Sequence, residues 1–203
     1  MRVPALLLAL AMFSAGDASA QSSGSAAPAR AASLPRVIIS TGAGEIVAEI
    51  DTIHAPVTSA NFLRYVDGGA YAAGRFHRAV RLDNQPNNAV KIEVIQGGVS
   101  PATATRQTPI ALERTNVTGL RHLDGVLSMA RSGPDTATSD FFICIGDQPS
   151  LDFGGARNAD GQGFAAFGRV LRGMDVVRAI QAAPANGQTL TPPVTIVSIQ
   201  RMP

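Results

Sequence analysis

Residues able to act as nucleophiles, proton carriers or metal ligands are few in this sequence and stand far apart. The three histidines, His54, His77 and His122, form no His-x-x-x-His pair, and Cys144 has no second cysteine beside it, so the spacing of a metal site is missing. Cys144 lies in the apolar run Phe141-Phe142-Ile143-Cys144-Ile145 with no cation at hand, which reads as an inert buried thiol. No serine occupies Gly-x-Ser-x-Gly, so the elbow of a hydrolase is absent. Gln96-Gly97-Gly98 lacks the Lys-Ser/Thr of a phosphate loop and reads as a turn. What remains is chemistry done by positioning and hydrogen bonding alone, with no cofactor and no metal.

The framework that must position such groups is one domain. The chain has 203 residues, 45% of them hydrophobic and 16% charged, which fits a packed globule and excludes a disordered chain. Sixteen of its 17 basic residues are arginine, scattered among 15 acids for a net charge of +2, so a nucleic-acid partner is not expected. Arg2, the apolar run 5–13 and Ala18-Ser19-Ala20 have the form of an export signal cleaved after Ala20. That run is shorter than the roughly 20 residues needed to cross a bilayer, and no second one occurs, so no membrane partner is expected. Residues 21–35, rich in Ser, Ala and Pro, read as a tether, and residues 36–203 as the folded domain. A periplasmic location follows from the export signal.

Two strand-like runs, Val37-Ile38-Ile39-Ser40 and 45–51, flank a Thr-Gly-Ala-Gly turn and open the domain as a hairpin. Pro56 suits a first helical position, and Ala60, Phe62, Leu63 and Val66 form an apolar stripe ending at Asp67-Gly68-Gly69. Short strands then recur between Gly and Pro punctuation at 75–80, 92–96, 126–130, 140–145, 165–170 and 194–201, with one more helix at 174–182. Eight strands without regular strand-helix alternation predict a mainly β fold, a closed eight-stranded antiparallel barrel capped by two α-helices.

Five motifs stand along this framework: Phe76-His77-Arg78; Gln96-Gly97-Gly98; Gly125-Val126-Leu127-Ser128-Met129-Ala130-Arg131; Ser139-Asp140-Phe141-Phe142-Ile143; and Phe167-Gly168-Arg169-Val170 followed by Gly173-Met174-Asp175-Val176-Val177. In type and order they resemble the cyclophilin family of peptidyl-prolyl cis-trans isomerases. The resemblance implies the barrel reached above, a monomer, and partners that are proline-containing segments of folding proteins. It implies that Arg78 is the catalytic arginine and that Gln96 bonds the substrate backbone and orients it. Phe142 would floor the proline pocket between Val94 and Leu151. Ala130 and Arg131 would hold the residues before proline through their backbone, with Phe76 and Phe164 completing the substrate-binding set.

The task of such an enzyme is set by the amide bond. Rotation about C–N faces a barrier of about 18–20 kcal/mol, and uncatalysed X-Pro bonds isomerise in tens to hundreds of seconds. An acceleration of about ten thousandfold requires roughly 5.5 kcal/mol of preferential transition-state binding. A donor to the pyramidal prolyl nitrogen, an apolar seat for the ring and a grip on one flank suffice. The planar, permanently charged guanidinium of Arg78 is suited to donate to that nitrogen and to the adjacent carbonyl.

Departures from the family pattern are specific. Glu93 replaces a pocket phenylalanine, Asp140 replaces a glutamine, Phe164 a histidine and Ser150 a tryptophan, and residues 83–88 are inserted. Loss of the indole implies weak cyclosporin binding. Acid from Glu93 and Asp140 close to Arg78 would favour a second reading, a cyclophilin-fold module that holds proline segments without turnover.

Overall fold

The computed structural model describes residues 33–100 and 108–203. The segment read as an export signal, 1–20, and all but the last three residues of the segment read as a tether, 21–35, lie outside the described residues. Chain order is β1 (Arg36–Thr41), β2 (Gly44–Ile50), α1 (Pro56–Asp67), β3 (Gly74–Val80), β4 (Val94–Gly98), α2 (Thr115–Thr118), β5 (Val126–Met129), β6 (Phe141–Cys144), β7 (Ala165–Arg172), α3 (Met174–Ala182), β8 (Ala185–Asn186) and β9 (Thr189–Arg201). The sheet runs β1-β2-β7-β5-β6-β4-β3-β9 and closes by pairing β9 with β1, which makes an eight-stranded antiparallel barrel. The two-residue β8 only extends the end of β9.

Closure follows from the pleat. Successive side chains on a strand point to opposite faces, so Phe141 and Ile143 of β6 enter the barrel core while Phe142 and Cys144 face outward into a separate apolar cluster. Ile95 and Val94 of β4 divide the same way. Inside, Phe62 of α1 lies 5.4 Å from both Phe141 and Tyr71 and 5.1 Å from Phe167, so the helix is fastened to the barrel by aromatic packing. The first turn of α1 begins at Pro56. Its free backbone N–H groups at Val57 and Thr58 donate to the Glu113 carboxylate at 3.0 and 2.7 Å, a cap that comes from far along the chain. Val177 and Ile180 bury the apolar face of α3.

Several elements differ from the periodicity reading: β4 runs Val94–Gly98 rather than 92–96, and β7 continues to Arg172 rather than ending at 170. The one-turn α2 and the two-residue β8 are too short to leave a periodic trace. The last strand starts at Thr189 rather than at 194. Pro192-Pro193 offers no N–H donors and so reads as a strand boundary, but these residues fall in a bulge: Phe76 pairs with Val194 and Arg78 with Thr189, leaving 190–193 opposite His77.

Candidate active site

The bulge in β9 and the register of the neighbouring strands assemble the site. Arg78 of β3 pairs with Gln96 of β4, Gln96 with Phe142 of β6, and Phe142 with Ser128 of β5. Directly opposed residues share a face, so these four side chains form one row across the outer wall of the barrel. With strands about 4.8 Å apart the row spans about 14 Å, the reach of a few extended peptide residues. Gly97 and Gly98 sit where a Cβ would strike Arg75 and Phe76 or the Asp140 side chain, so the Gln96-Gly97-Gly98 sequence is what lets β4 lie this close.

Arg78 is held from two sides by neutral amides. Its Nη1 donates to Gln96 Oε1 at 3.0 Å, and its Nε and Nη2 both donate to Gln188 Oε1 at 2.9 and 2.6 Å. Gln188 reaches the site because the β9 bulge puts its carbonyl on the Ala79 N–H at 2.9 Å. Its own amide donates to the Asn84 carbonyl at 3.2 Å, and the Asn84 side chain donates to the Ala79 and Gly187 carbonyls, each at 3.0 Å. The inserted stretch 83–88 therefore braces the residue that grips Arg78. Burial, and secondarily the charge of Arg157, lowers the Arg78 guanidinium below its ordinary value, but an arginine remains charged across the working pH range.

Phe142 is buried and held by two rings. His122 stacks on it at 6.0 Å, nearly parallel, and Phe164 meets it edge-on at 5.3 Å. The His122 ring is itself locked, with Nδ1 2.7 Å from Asp152 Oδ1 and Nε2 2.9 Å from Ser128 Oγ. Ser128 is fully buried, so this Ser-His-Asp chain supports the floor of the pocket and offers no nucleophile to solvent. Burial alone would raise the Asp152 carboxyl, but the side-chain and backbone hydrogen bonds with His122 outweigh it and hold the group below 3.8. A carboxyl depressed on folding stabilises the protein above its unfolded value and loses that contribution as pH falls through the folded one. Asp152→Asn is therefore expected to lower stability at pH 7 by about 1.5–3 kcal/mol, the range for a hydrogen bond to a charged group. As pH falls below the ordinary carboxyl value of 3.8 and through the lowered folded one, the variant and parent converge. Urea titrations across pH check this, and an equal deficit at every pH would contradict it.

A cleft of about 210 Å³ opens along the row. Arg78, Val94, Gln96 and Phe142 line it from the sheet, and Ala130, Arg131, Leu151 and Phe164 from the flanking segments. Eight of the nine site residues named from sequence thus meet at one place. Phe76 does not. It has no solvent exposure and packs edge-on against Phe141 at 5.8 Å in the barrel core, because it stands two residues from Arg78 across a bulge that breaks the alternation. Arg131 contributes more than backbone: its guanidinium lies 4.9 Å over the Phe164 ring and donates to Asp160 at 2.7 and 3.0 Å.

The acids weighed against Arg78 are occupied elsewhere. Glu93 does not line the cleft, and its Oε1 accepts from Gln181 of α3 at 3.2 Å. Asp140 lies 3.4 Å from the Gln96 amide and 3.7 Å from His77, so it touches the orienting residue rather than the guanidinium. Sequence reasoning missed Ile92, Arg157, Asn158 and Gln188. Ile92 was legible, since 92, 94 and 96 share parity, and the same parity sends Glu93 to the other face. The other three carry no local signal. Cys144 is buried in the apolar cluster, which pushes its thiol upward and leaves it inert. A larger groove of about 430 Å³ between β2, β7 and the 119–126 segment has no aromatic floor.

Barrel and cleft together define a fold of the cyclophilin class. Residues 36–201 match the family described as cyclophilin type peptidyl-prolyl cis-trans isomerase/CLD. The chain is 35% identical over 149 residues to a peptidyl-prolyl cis-trans isomerase of Streptomyces antibioticus, covering 73% of this chain and 84% of that protein. It is 36% identical over 156 residues to peptidyl-prolyl cis-trans isomerase B of Escherichia coli, covering 75% and 87%. A crystal structure of a Cryptosporidium parvum cyclophilin-type isomerase, 22% identical, superposes with a TM-score of 0.66 over 84% of this chain and 98% of that one. The chain belongs to the cyclophilin-type peptidyl-prolyl cis-trans isomerase family, and it is an isomerase of that type.

Proposed function

We propose that this is an exported bacterial isomerase that turns X-Pro bonds in proteins folding in the periplasm. The observation that carries the chemical part is the single cross-strand row in which an amide-held Arg78 stands beside Gln96 and an aromatic floor, Phe142. The proline ring rests on Phe142 between Val94 and Leu151. Residues before proline pair with the backbone at Ala130 and Arg131, and Gln96 bonds a substrate carbonyl. Arg78 donates to the prolyl nitrogen as its lone pair localises, which favours the twisted state over either planar isomer. Among the described residues the eight barrel strands are each paired on both sides and only the two-residue β8 has a free edge, which favours a monomer.

The exported location rests on residues 1–20. N-terminal sequencing of the protein recovered from fractionated cells is expected to show a periplasmic chain beginning at Gln21, and a cytoplasmic chain retaining the leader would reject export. NMR exchange on an X-Pro peptide tests the chemistry: acceleration that Arg78→Ala largely removes is the expected result, and no acceleration by the parent rejects it.

A further inference from the structure

Three guanidiniums border the cleft, and they differ in how their charge is met. Arg131 is paired with Asp160 through two hydrogen bonds. Arg78 bonds only the Gln96 and Gln188 amides. Arg157, in the segment following Leu151, donates through Nη1 to Gln85 Oε1 at 2.9 Å and to the Val90 carbonyl at 2.6 Å, both neutral, while its backbone N–H bonds the Ser150 carbonyl at 3.1 Å. Among the described residues no carboxylate comes within 4.0 Å of either Arg78 or Arg157, and no acceptor engages Arg157 Nε or Nη2. The acids close by have other partners: Asp140 with Gln96, Glu93 with Gln181, Asp83 with Arg81, and Asp152 with His122. Two partly buried positive charges thus face the substrate cleft without an internal counter-ion, a situation that an arriving anion relieves.

The position of Arg157 fixes which end of the substrate it meets. Across the wall the strands run β5, β6, β4, β3. Ala130 follows β5, Phe142 lies on β6, and Arg157 is anchored by Gln85 and Val90 in the link between β3 and β4. If residues before proline lie on Ala130 and the ring on Phe142, as in the function proposed above, the chain beyond proline runs toward Arg157. We infer that Arg157 forms a carboxylate-binding subsite that makes this isomerase prefer segments with Asp or Glu directly after the proline. After burial, the charge of Arg157 is the second cause that lowers the Arg78 guanidinium, in agreement with two like charges sharing the cleft. Nη1 serves as the tether and leaves the other two nitrogens to present a fork to the substrate.

Exchange NMR with the full chain tests the subsite on the peptides Ala-Ala-Pro-Glu-Ala, Ala-Ala-Pro-Gln-Ala and Ala-Glu-Pro-Gln-Ala. The Pro-Glu peptide is expected to show a kcat/KM about fivefold to tenfold above Pro-Gln at low salt, falling toward parity at 1 M NaCl. Acid before proline gives no such gain. Arg157→Gln brings the Pro-Glu to Pro-Gln ratio to about one, and Arg157→Lys keeps it above one, a ratio that a general loss of fold would not alter in this pattern. A parental ratio near one, a ratio unmoved by Arg157→Gln, or a gain for acid placed before proline overturns the subsite while leaving the isomerase intact. Failure to accelerate any of the three peptides overturns both readings.

Discussion

Arg78→Ala is expected to lower kcat/KM for an X-Pro peptide by about 100-fold to 1000-fold, the usual effect of deleting a donor aimed at a developing lone pair. Of the roughly 5.5 kcal/mol that a ten-thousandfold acceleration needs, this one group would then supply about half or more. Gln96 and Gln188 would lose their shared partner, but both are partly exposed and water replaces it, so the fold should survive. Arg78→Lys keeps the charge and loses the planar fork that meets two acceptors, so most of the defect should persist. Exchange NMR or a protease-coupled assay measures both variants. A rate within about threefold of the parent would show that the arginine is not the donor.

The second large effect separates two neighbouring rings. Phe141 points into the barrel and meets Phe62, Tyr71 and Phe76 at 5.4, 5.6 and 5.8 Å. Phe141→Ala is expected to cost about 3–5 kcal/mol, since the surrounding strands cannot collapse into the void, and a melting temperature roughly 10 °C lower would follow for a domain of this size. Phe142 points the other way, onto the small outer cluster and the cleft. Phe142→Ala removes the seat of the proline ring, so kcat/KM should fall by about tenfold to a hundredfold, mostly through KM, with a smaller loss of stability. Thermal melts and peptide kinetics on both variants give the comparison. If the two changes damaged stability and activity in the same proportion, the division of β6 between core and site would be wrong.

Much of this division is legible in the residue pattern. Alternation in Phe141-Phe142-Ile143-Cys144 requires two faces, and the apolar character of both requires something to cover each. The same parity, carried two residues ahead of β4, sets Ile92 with Val94 and Gln96 in the cleft lining and leaves Glu93 out of it. Reading Glu93 as a rival for Arg78 treated sequence proximity as spatial proximity, and the pleat overrules it. Phe76 fails for the opposite reason: parity puts it with Arg78, but the bulge between them resets the alternation.

The sequence by itself determined the class of fold and the chain order of the strands that build the barrel, because short-range alternation is a local property, and its resemblance to the family singled out Arg78, Gln96 and Phe142, which meet in one cleft. Only the tertiary structure decided what surrounds them. Gln188 grips Arg78 from 110 residues away, His122 and Asp152 support Phe142 across 30 residues, and Arg157 reaches the cleft by bonding Gln85 across 72. Such partners are chosen by which loops the closed barrel brings within hydrogen-bond distance. That choice leaves no periodicity to read, since a single glutamine or arginine in a loop obeys no repeat until the chain has closed around it.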